Sequence, residues 1–311
     1  FIYEKNDLGV ECNEKGTTFH LWSPGAESVC LNFYENGDSG EAFEHISMKK
    51  EDKGLWSYYS EKELHGVYYD YLITRDGKEV LTADPYARAC GVNGIRSMAV
   101  NLKRTDPSDW ENDKAPQKGP ERIVYEIHVK EFSYDKSGGF PLEYRGKYKA
   151  FTCKHTTLNN DGIHPTGLDY LKELGVTHIQ IMPTYDYGSV DETKDNEFNW
   201  GYDPLNYNVP EGSYSTDAFK GEVRITEMKE MVQAIHEAGF GVIMDVVYNH
   251  TYSLDSPLQR TLPWYFYRVF DEGIVSDGSA CGNDIASERA MCLKYILDSV
   301  LYWAKEYHID G

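Results

Sequence analysis

Gly241-Val242-Ile243-Met244-Asp245-Val246-Val247 is an apolar run broken by a single carboxylate, and Tyr248-Asn249-His250 follows it. A short apolar stretch that opens on Gly and exits into polar residues reads as a buried strand. Two earlier runs have the same character, Ile123-Val124-Tyr125-Glu126-Ile127-His128-Val129 and Val176-Thr177-His178-Ile179-Gln180-Ile181-Met182. Between the second and third strands, Met228, Met231, Val232 and Ile235 recur at helical spacing and Gly239 stands where a helix would stop. Leu293, Ile296, Leu297, Val300 and Ala304 repeat that spacing and predict a second helix buried along this stripe. It leads into His308-Ile309-Asp310-Gly311, where a fourth strand is expected to begin. Strands alternating with amphipathic helices build a parallel sheet.

Loop lengths sharpen the choice of fold. Each helix-to-strand connection is a residue or a few, whereas the segments after the three strands run from about 130 to 165, 183 to 225 and 248 to 286. Long loops gathered at one end of a parallel sheet mark the functional end, as in (β/α)8 TIM barrels. A doubly wound open sheet is the alternative, but no GxGxxG follows the first strand, so a dinucleotide site has no support. Residues 121–311 are therefore read as the first part of a TIM barrel.

Residues 1–104 have a different pattern. Thr17-Thr18-Phe19-His20-Leu21-Trp22, Val29-Cys30-Leu31-Asn32-Phe33-Tyr34, Leu55-Trp56-Ser57-Tyr58-Tyr59 and Tyr68-Tyr69-Asp70-Tyr71-Leu72-Ile73 are short aromatic runs between turn clusters such as Ser23-Pro24-Gly25 and Asp76-Gly77-Lys78. This is the signature of an all-β sandwich. The polar, Pro-containing residues 105–120 that follow read as a linker.

Composition narrows the partners. A formal charge of −20 and a pI near 4.9 repel nucleic acid and anionic membrane surfaces, while a neutral polymer such as a polysaccharide feels little of that field. No apolar run approaches the ~20 residues that span a bilayer. Tyr contributes 25 residues, and such rings can stack on sugar faces while their hydroxyls bond sugar hydroxyls, although core packing is the ordinary use of a tyrosine. Cys12, Cys30, Cys90, Cys153, Cys281 and Cys292 are scattered without CxxC or metal-ligand spacing, which favours free thiols and a cytoplasmic setting. Phe1 rather than Met opens the sequence, so a secreted protein with a leader before it stays open as well.

An unpaired carboxylate inside an apolar strand costs several kcal/mol, on the order of 1–3 or more, so Asp245 needs compensation. Either it caps a loop or meets an Arg, or it sits at the barrel rim and bonds a ligand. His250 alone would be an ordinary loop histidine, but beside Asp245 and Asn249 its imidazole could donate to a sugar hydroxyl. Tyr202, within Phe198-Asn199-Trp200-Gly201-Tyr202-Asp203-Pro204, could supply a flat platform under a pyranose ring or simply anchor its loop.

The stretch from Phe198 to Asp217, which includes Pro210-Glu211-Gly212-Ser213-Tyr214-Ser215, together with Asp245 to His250 resembles the α-amylase superfamily of glycoside hydrolases. Phe198 to Pro204 is similar to the Tyr-Asn-Trp-Gly-Tyr-Asp-Pro signature of type I pullulanases, with Phe198 in place of the first Tyr, and Cys281 to Glu288 and Tyr307 to Gly311 fit the same subfamily. Trp22-Ser23-Pro24 and Asp84-Pro85-Tyr86-Ala87 with Gly91-Val92-Asn93-Gly94 resemble the starch-binding-like module that precedes the barrel in debranching and branching enzymes. The resemblance implies a retaining hydrolase of α-1,6 links in branched α-glucans. Tyr202 would stack on the sugar at the cleavage subsite, Asp245 and His250 would line it, and Trp200 and Asp203 would shape the substrate-facing loop. No cofactor is required; calcium is left open, with Asn249 as the candidate ligand.

The same resemblance withholds the catalytic residues from this stretch. Retaining hydrolysis uses a carboxylate nucleophile and a carboxylic acid roughly 5 Å apart, and in this family the nucleophilic Asp follows shortly after the Asp-Gly at 310–311, with the acid Glu on a later strand. Neither Asp245, Asp203 nor Asp284 is expected to replace them. The missing C-terminal half of the barrel, in the same or another polypeptide, is the expected partner, along with the α-glucan. Isoamylase or branching activity, or a non-catalytic glucan-binding role, are the alternatives.

Overall fold

The computed structural model describes residues 1–117 and 119–311; of the predicted linker, Lys118 lies outside the described residues. The N-terminal part contains β1 (Gly9–Asn13), β2 (Gly16–Trp22), β3 (Ser28–Tyr34), β4 (Glu44–Ser47), β5 (Lys49–Lys50), β6 (Leu55–Ser60), β7 (Tyr68–Arg75), β8 (Lys78–Thr82) and β9 (Ser97–Met98). These form two antiparallel sheets, β1-β2-β6-β5 and β4-β3-β7-β8, with β9 also on β7. Alternate residues point inward: Phe19 and Leu21, Val29, Leu31 and Phe33, and Tyr69, Tyr71 and Ile73 make one buried core, as the two-residue period of a strand requires.

The second part holds β10 (Val124–Ile127), β11 (His178–Ile181), a β12 (Tyr185–Tyr187) and β13 (Pro204–Pro210) hairpin, and β14 (Gly241–Met244), with α1 (Gly167–Glu173), α2 (Gly221–Glu237), α3 (Pro257–Thr261) and α4 (Ala290–Glu306). The strands β10, β11 and β14 are parallel and adjacent in that order, with Ile127, Ile181 and Met244 aligned. Asp310 donates its N–H to Val242 O and Gly311 O accepts from Met244 N, both at 2.9 Å, so a fourth strand begins beside β14 as expected. The hairpin was not foreseen in the sequence; it rises out of the second long loop.

Two readings need correction. The parallel strands are four residues long, so Asp245 lies just beyond β14 rather than within it. Its N–H still bonds Ile181 O at 2.9 Å, but the neighbouring chain then reaches Pro183, which has no N–H to extend the ladder. On α4, the stripe expected in the core is outside: Leu293, Leu297 and Val300 are exposed, while Cys292, Tyr295, Ser299 and Trp303 are buried. This helix is apolar on both faces, and spacing alone does not say which face the existing core covers. On α2, Met228, Met231, Val232 and Ile235 are all fully buried, as predicted.

Residues 105–113 are packed against the barrel. Lys229, fully buried on α2, bonds Thr105 Oγ1 at 3.1 Å, Asp106 Oδ1 at 2.6 Å and Glu306 Oε1 at 2.5 Å. Trp110 stacks on His308 with ring centroids 4.0 Å apart. Asp113 Oδ2 takes hydrogen bonds from Nδ1 of both His236 and His308 at 2.8 Å, and His236 Nε2 lies 3.0 Å from Asp310 Oδ2. Polar composition resembles a free linker in the sequence, yet here Thr105, Asp106 and Asp113 are paired with buried side chains of the barrel. Among the described residues no helix is long and apolar enough to cross a membrane.

Candidate functional site

The ends of the parallel strands and the loops after them bring Tyr202, Asp245 and His250 together. Tyr202 donates its hydroxyl hydrogen to Asp245 Oδ2 at 2.7 Å. Burial first, and then this carboxylate, push the Tyr202 phenol well above its usual range, so the hydroxyl stays protonated and keeps donating. His250 is buried, and its Nε2 lies 2.7 Å from the Tyr202 carbonyl. A carbonyl only accepts, so Nε2 carries the hydrogen and Nδ1 faces the Asn249 side chain at 2.9 Å. Tyr207 donates to the His250 carbonyl, fixing the backbone on the other side. The histidine thus clamps the loop that carries the tyrosine, and the tyrosine orients the carboxylate.

Gly201 explains how Tyr202 reaches this position. Its φ is +90°, and a Cβ there would lie 2.9 Å from Pro183 O, so only glycine lets the loop press against the end of the second strand. On its other side Trp200 is 59% exposed and Phe198 47%, and with Asn199, Tyr202 and Asp203 they line an open depression of about 450 Å³. Exposed indole and phenol faces beside hydrogen-bonding groups are what a sugar ring requires of a protein. Asp203 is turned inward: Oδ2 accepts from Asn199 Nδ2 at 3.2 Å, its backbone O accepts from Gly188 N at 2.9 Å, and burial raises its carboxyl pKa. It closes the loop.

Asn249, the calcium candidate, is exposed, and its side-chain amide lies 2.9 Å from His250 Nδ1, where the amide hydrogen is what an Nε2-protonated ring can accept. A hard cation takes six to eight oxygens, and the arrangement suits orientation of the imidazole better. Among the described residues one carboxylate cluster has the spacing of a metal site, Asp186, Glu192 and Glu211, but Arg224 already occupies it. Its guanidinium grips Glu192 in a two-pronged pair at 2.9 and 2.7 Å and reaches Asp186 Oδ1 at 3.5 Å. Burial, then the neighbouring carboxylates, push Asp186 well above the usual carboxylate range and Glu211 up to about 7.

Sequence reasoning missed the residues that support this loop. His128, at the exit of β10, places Nε2 2.8 Å from Asn199 O and 2.9 Å from Tyr214 OH, while Phe198 packs 4.6 Å from its ring. Lys130 Nζ reaches Glu197 O at 2.6 Å. A lone histidine near the end of an apolar run carries no signal in the sequence until its partners are placed.

An all-β module packed against the opening strands of a (β/α)8-type barrel, with aromatic and carboxylate side chains on the strand exits, is the architecture of the N-terminal part of α-amylase-type proteins. Residues 7–87 match carbohydrate-binding module 48, the isoamylase N-terminal domain, and residues 158–262 match the α-amylase catalytic domain. The whole chain is 38% identical to the pullulanase of Bacillus subtilis (strain 168), of which it spans 42%, and 32% identical to pullulanase 1, chloroplastic, of Arabidopsis thaliana, of which it spans 36%. All of it superposes on the crystal structure of Paenibacillus barengoltzii pullulanase in complex with maltohexaose and α-cyclodextrin, with a TM-score of 0.95 and 41% identity over 48% of that chain. The chain is a homologue of the N-terminal part of pullulanases, spanning less than half the length of these relatives.

Proposed function

We propose that this chain is the substrate-positioning part of a debranching glycoside hydrolase that cleaves internal α-1,6-glucosidic bonds in pullulan and branched α-glucans with retention. The observation that carries the reading is the Tyr202–Asp245 hydrogen bond of 2.7 Å beside an exposed Trp200, clamped from below by His250. In this reading Tyr202 stacks on the sugar at the cleaved bond, Asp245 and His250 line that subsite, and Asp203 holds the loop closed. The nucleophile and acid/base come from barrel strands outside this chain, which packs on the exposed faces of β10 and α4. Residues 1–104 act as the module, 105–120 as its connection to the barrel and 121–311 as the opening of the barrel. Calcium at Asn249 is an optional element.

An isoamylase is the second reading, supported by 28% identity to isoamylase 3, chloroplastic, of Oryza sativa subsp. japonica. Product analysis with the full-length protein separates the two. Release of maltotriose from pullulan is expected; debranching of glycogen with pullulan untouched would favour the isoamylase, and glucan binding without any hydrolysis would leave only a binding role.

A further inference from the structure

We propose that Asn93, on the N-terminal module, is a positioning residue for the substrate-facing loop of the barrel, so that the module acts on the site through a direct polar latch. The proposal rests on the reading of Trp200 and Tyr202 as sugar-facing. Asn93 N donates to Glu192 Oε2 at 2.7 Å, and Glu192 N donates back to Asn93 Oδ1 at 2.8 Å, closing a reciprocal pair between two distant parts of the chain. Asn93 Nδ2 also reaches Asp191 Oδ1 at 3.4 Å. The backbone of Asn93 is left-handed, with φ +57°, a conformation asparagine tolerates better than most residues. Next to it, Gly94 has φ +65°, and a Cβ there would lie 2.6 Å from Asp186 Oδ2. The Gly91-Val92-Asn93-Gly94 turn is therefore shaped to enter the base of the β12–β13 hairpin.

Asp191 and Glu192 are the root of the loop that ends in Trp200 and Tyr202. Glu192 is tied to Arg224 of α2 and accepts from Gly212 N at 3.1 Å. Asp191 N donates to Glu197 Oε2 at 2.5 Å, and Lys130 from the exit of β10 holds Glu197 O. The loop root is thus gripped from the helix, from the first strand and from the module, and Asn93 is the module's hand on it. Other docking contacts, such as Tyr295 OH to Pro85 O at 2.8 Å and Ser23 Oγ to Thr261 O at 2.7 Å, hold the module in place but lie on α4 and α3, away from this loop.

The test uses the full-length protein with pullulan, maltotriose and hydrogen exchange. Asn93→Gly keeps the left-handed backbone and deletes only the side chain. Expected are faster exchange across residues 190–203 and a KM for pullulan raised roughly 3- to 10-fold, with kcat within about twofold. Asn93→Asp keeps the acceptor for Glu192 N but faces two carboxylates; its KM defect relative to wild type should begin to shrink as pH falls from about 7.5 toward about 4.5, because a carboxyl ordinarily ionised above about 3.9 is pushed up by its two like-charged neighbours and, once protonated, is shaped like asparagine. This second variant decides the matter if the glycine variant does not fold. An unchanged KM and unchanged exchange at 190–203 would overturn the proposal, as would a pH-independent defect accompanied by uniformly faster exchange. If the wild type leaves pullulan untouched, the proposed activity is what fails. Exchange at 190–203 and maltotriose affinity then decide the role of Asn93.

Discussion

Tyr202 lies at the junction of two requirements that pull on one side chain. In the proposed role its ring stays partly open to meet a sugar, while its hydroxyl donates to Asp245. Tyr202→Phe in the full-length protein keeps the platform and removes the hydrogen bond, so kcat/KM for pullulan should fall roughly tenfold. Tyr202→Ala removes both and should cost a further one to two orders of magnitude. Equal losses in the two variants would show that the hydroxyl alone matters; no loss in either would remove Tyr202 from the site. His250→Ala leaves the Tyr202 carbonyl without its donor and should weaken maltotriose binding without changing the fold of the sheet. These three residues were legible because they crowd into two short motifs at predicted strand exits. His128 was not, since one histidine ending an apolar run carries no signal until Asn199 O and Tyr214 OH are found at its Nε2.

The loop from 188 to 203 and the strap from 105 to 113 show how elements fix these residues. Gly201→Ala forces a side chain into a +90° backbone against Pro183 O, a local cost of roughly 1–3 kcal/mol. Maltotriose affinity measured by calorimetry should fall with it, while the melting temperature moves by only a few degrees. An affinity equal to wild type would mean that the loop does not form the sugar platform. The strap makes a different kind of prediction. Burial pulls the His236 imidazole down, but Asp113 and Asp310 outweigh it and hold its pKa up at about 9. A group raised in the folded state gives its full stabilisation below its unfolded pKa of about 6.5 and loses it as pH rises through the folded value. The urea midpoint should therefore drop between about pH 6.5 and about pH 9, and His236→Gln should flatten that decline. A wild-type midpoint that is flat across this window would contradict the proposed charge pair. Composition could not reveal the strap, because Asp113 and Trp110 look like linker residues until the helix ends that receive them are placed.

At the scale of the whole molecule, the parallel arrangement, the crowded loop end, the β-module and an open strand edge could be read from periodicity and loop length, whereas the side of α4 left uncovered could not. Val124 and Tyr125 on β10, with Ile123 just before it, are exposed at the open edge of the parallel sheet, and Leu293, Leu297, Val300 and Leu301 are exposed along α4. Each such side chain gains roughly 1.5–3 kcal/mol on full burial, and an open strand edge offers unpaired backbone groups to any other strand. The module covers a different side: Trp22 meets Tyr265 at 5.2 Å and Tyr86 meets Tyr295 at 5.0 Å. Residues 121–311 expressed alone would lose that cover and still expose β10 and α4. They should bind a hydrophobic dye and self-associate, with a broad thermal transition, as seen by light scattering and calorimetry. Supplying the later barrel segments, in the same or a second polypeptide, should give a monodisperse, cooperatively melting species. Leu297→Lys, on the exposed stripe, separates two causes. In the isolated fragment it should reduce self-association. In the assembled protein it should cost roughly 2–4 kcal/mol if a barrel helix covers that stripe, and almost nothing if the stripe stays in water. A sharply melting monomer of 121–311 alone would show that these faces need no partner.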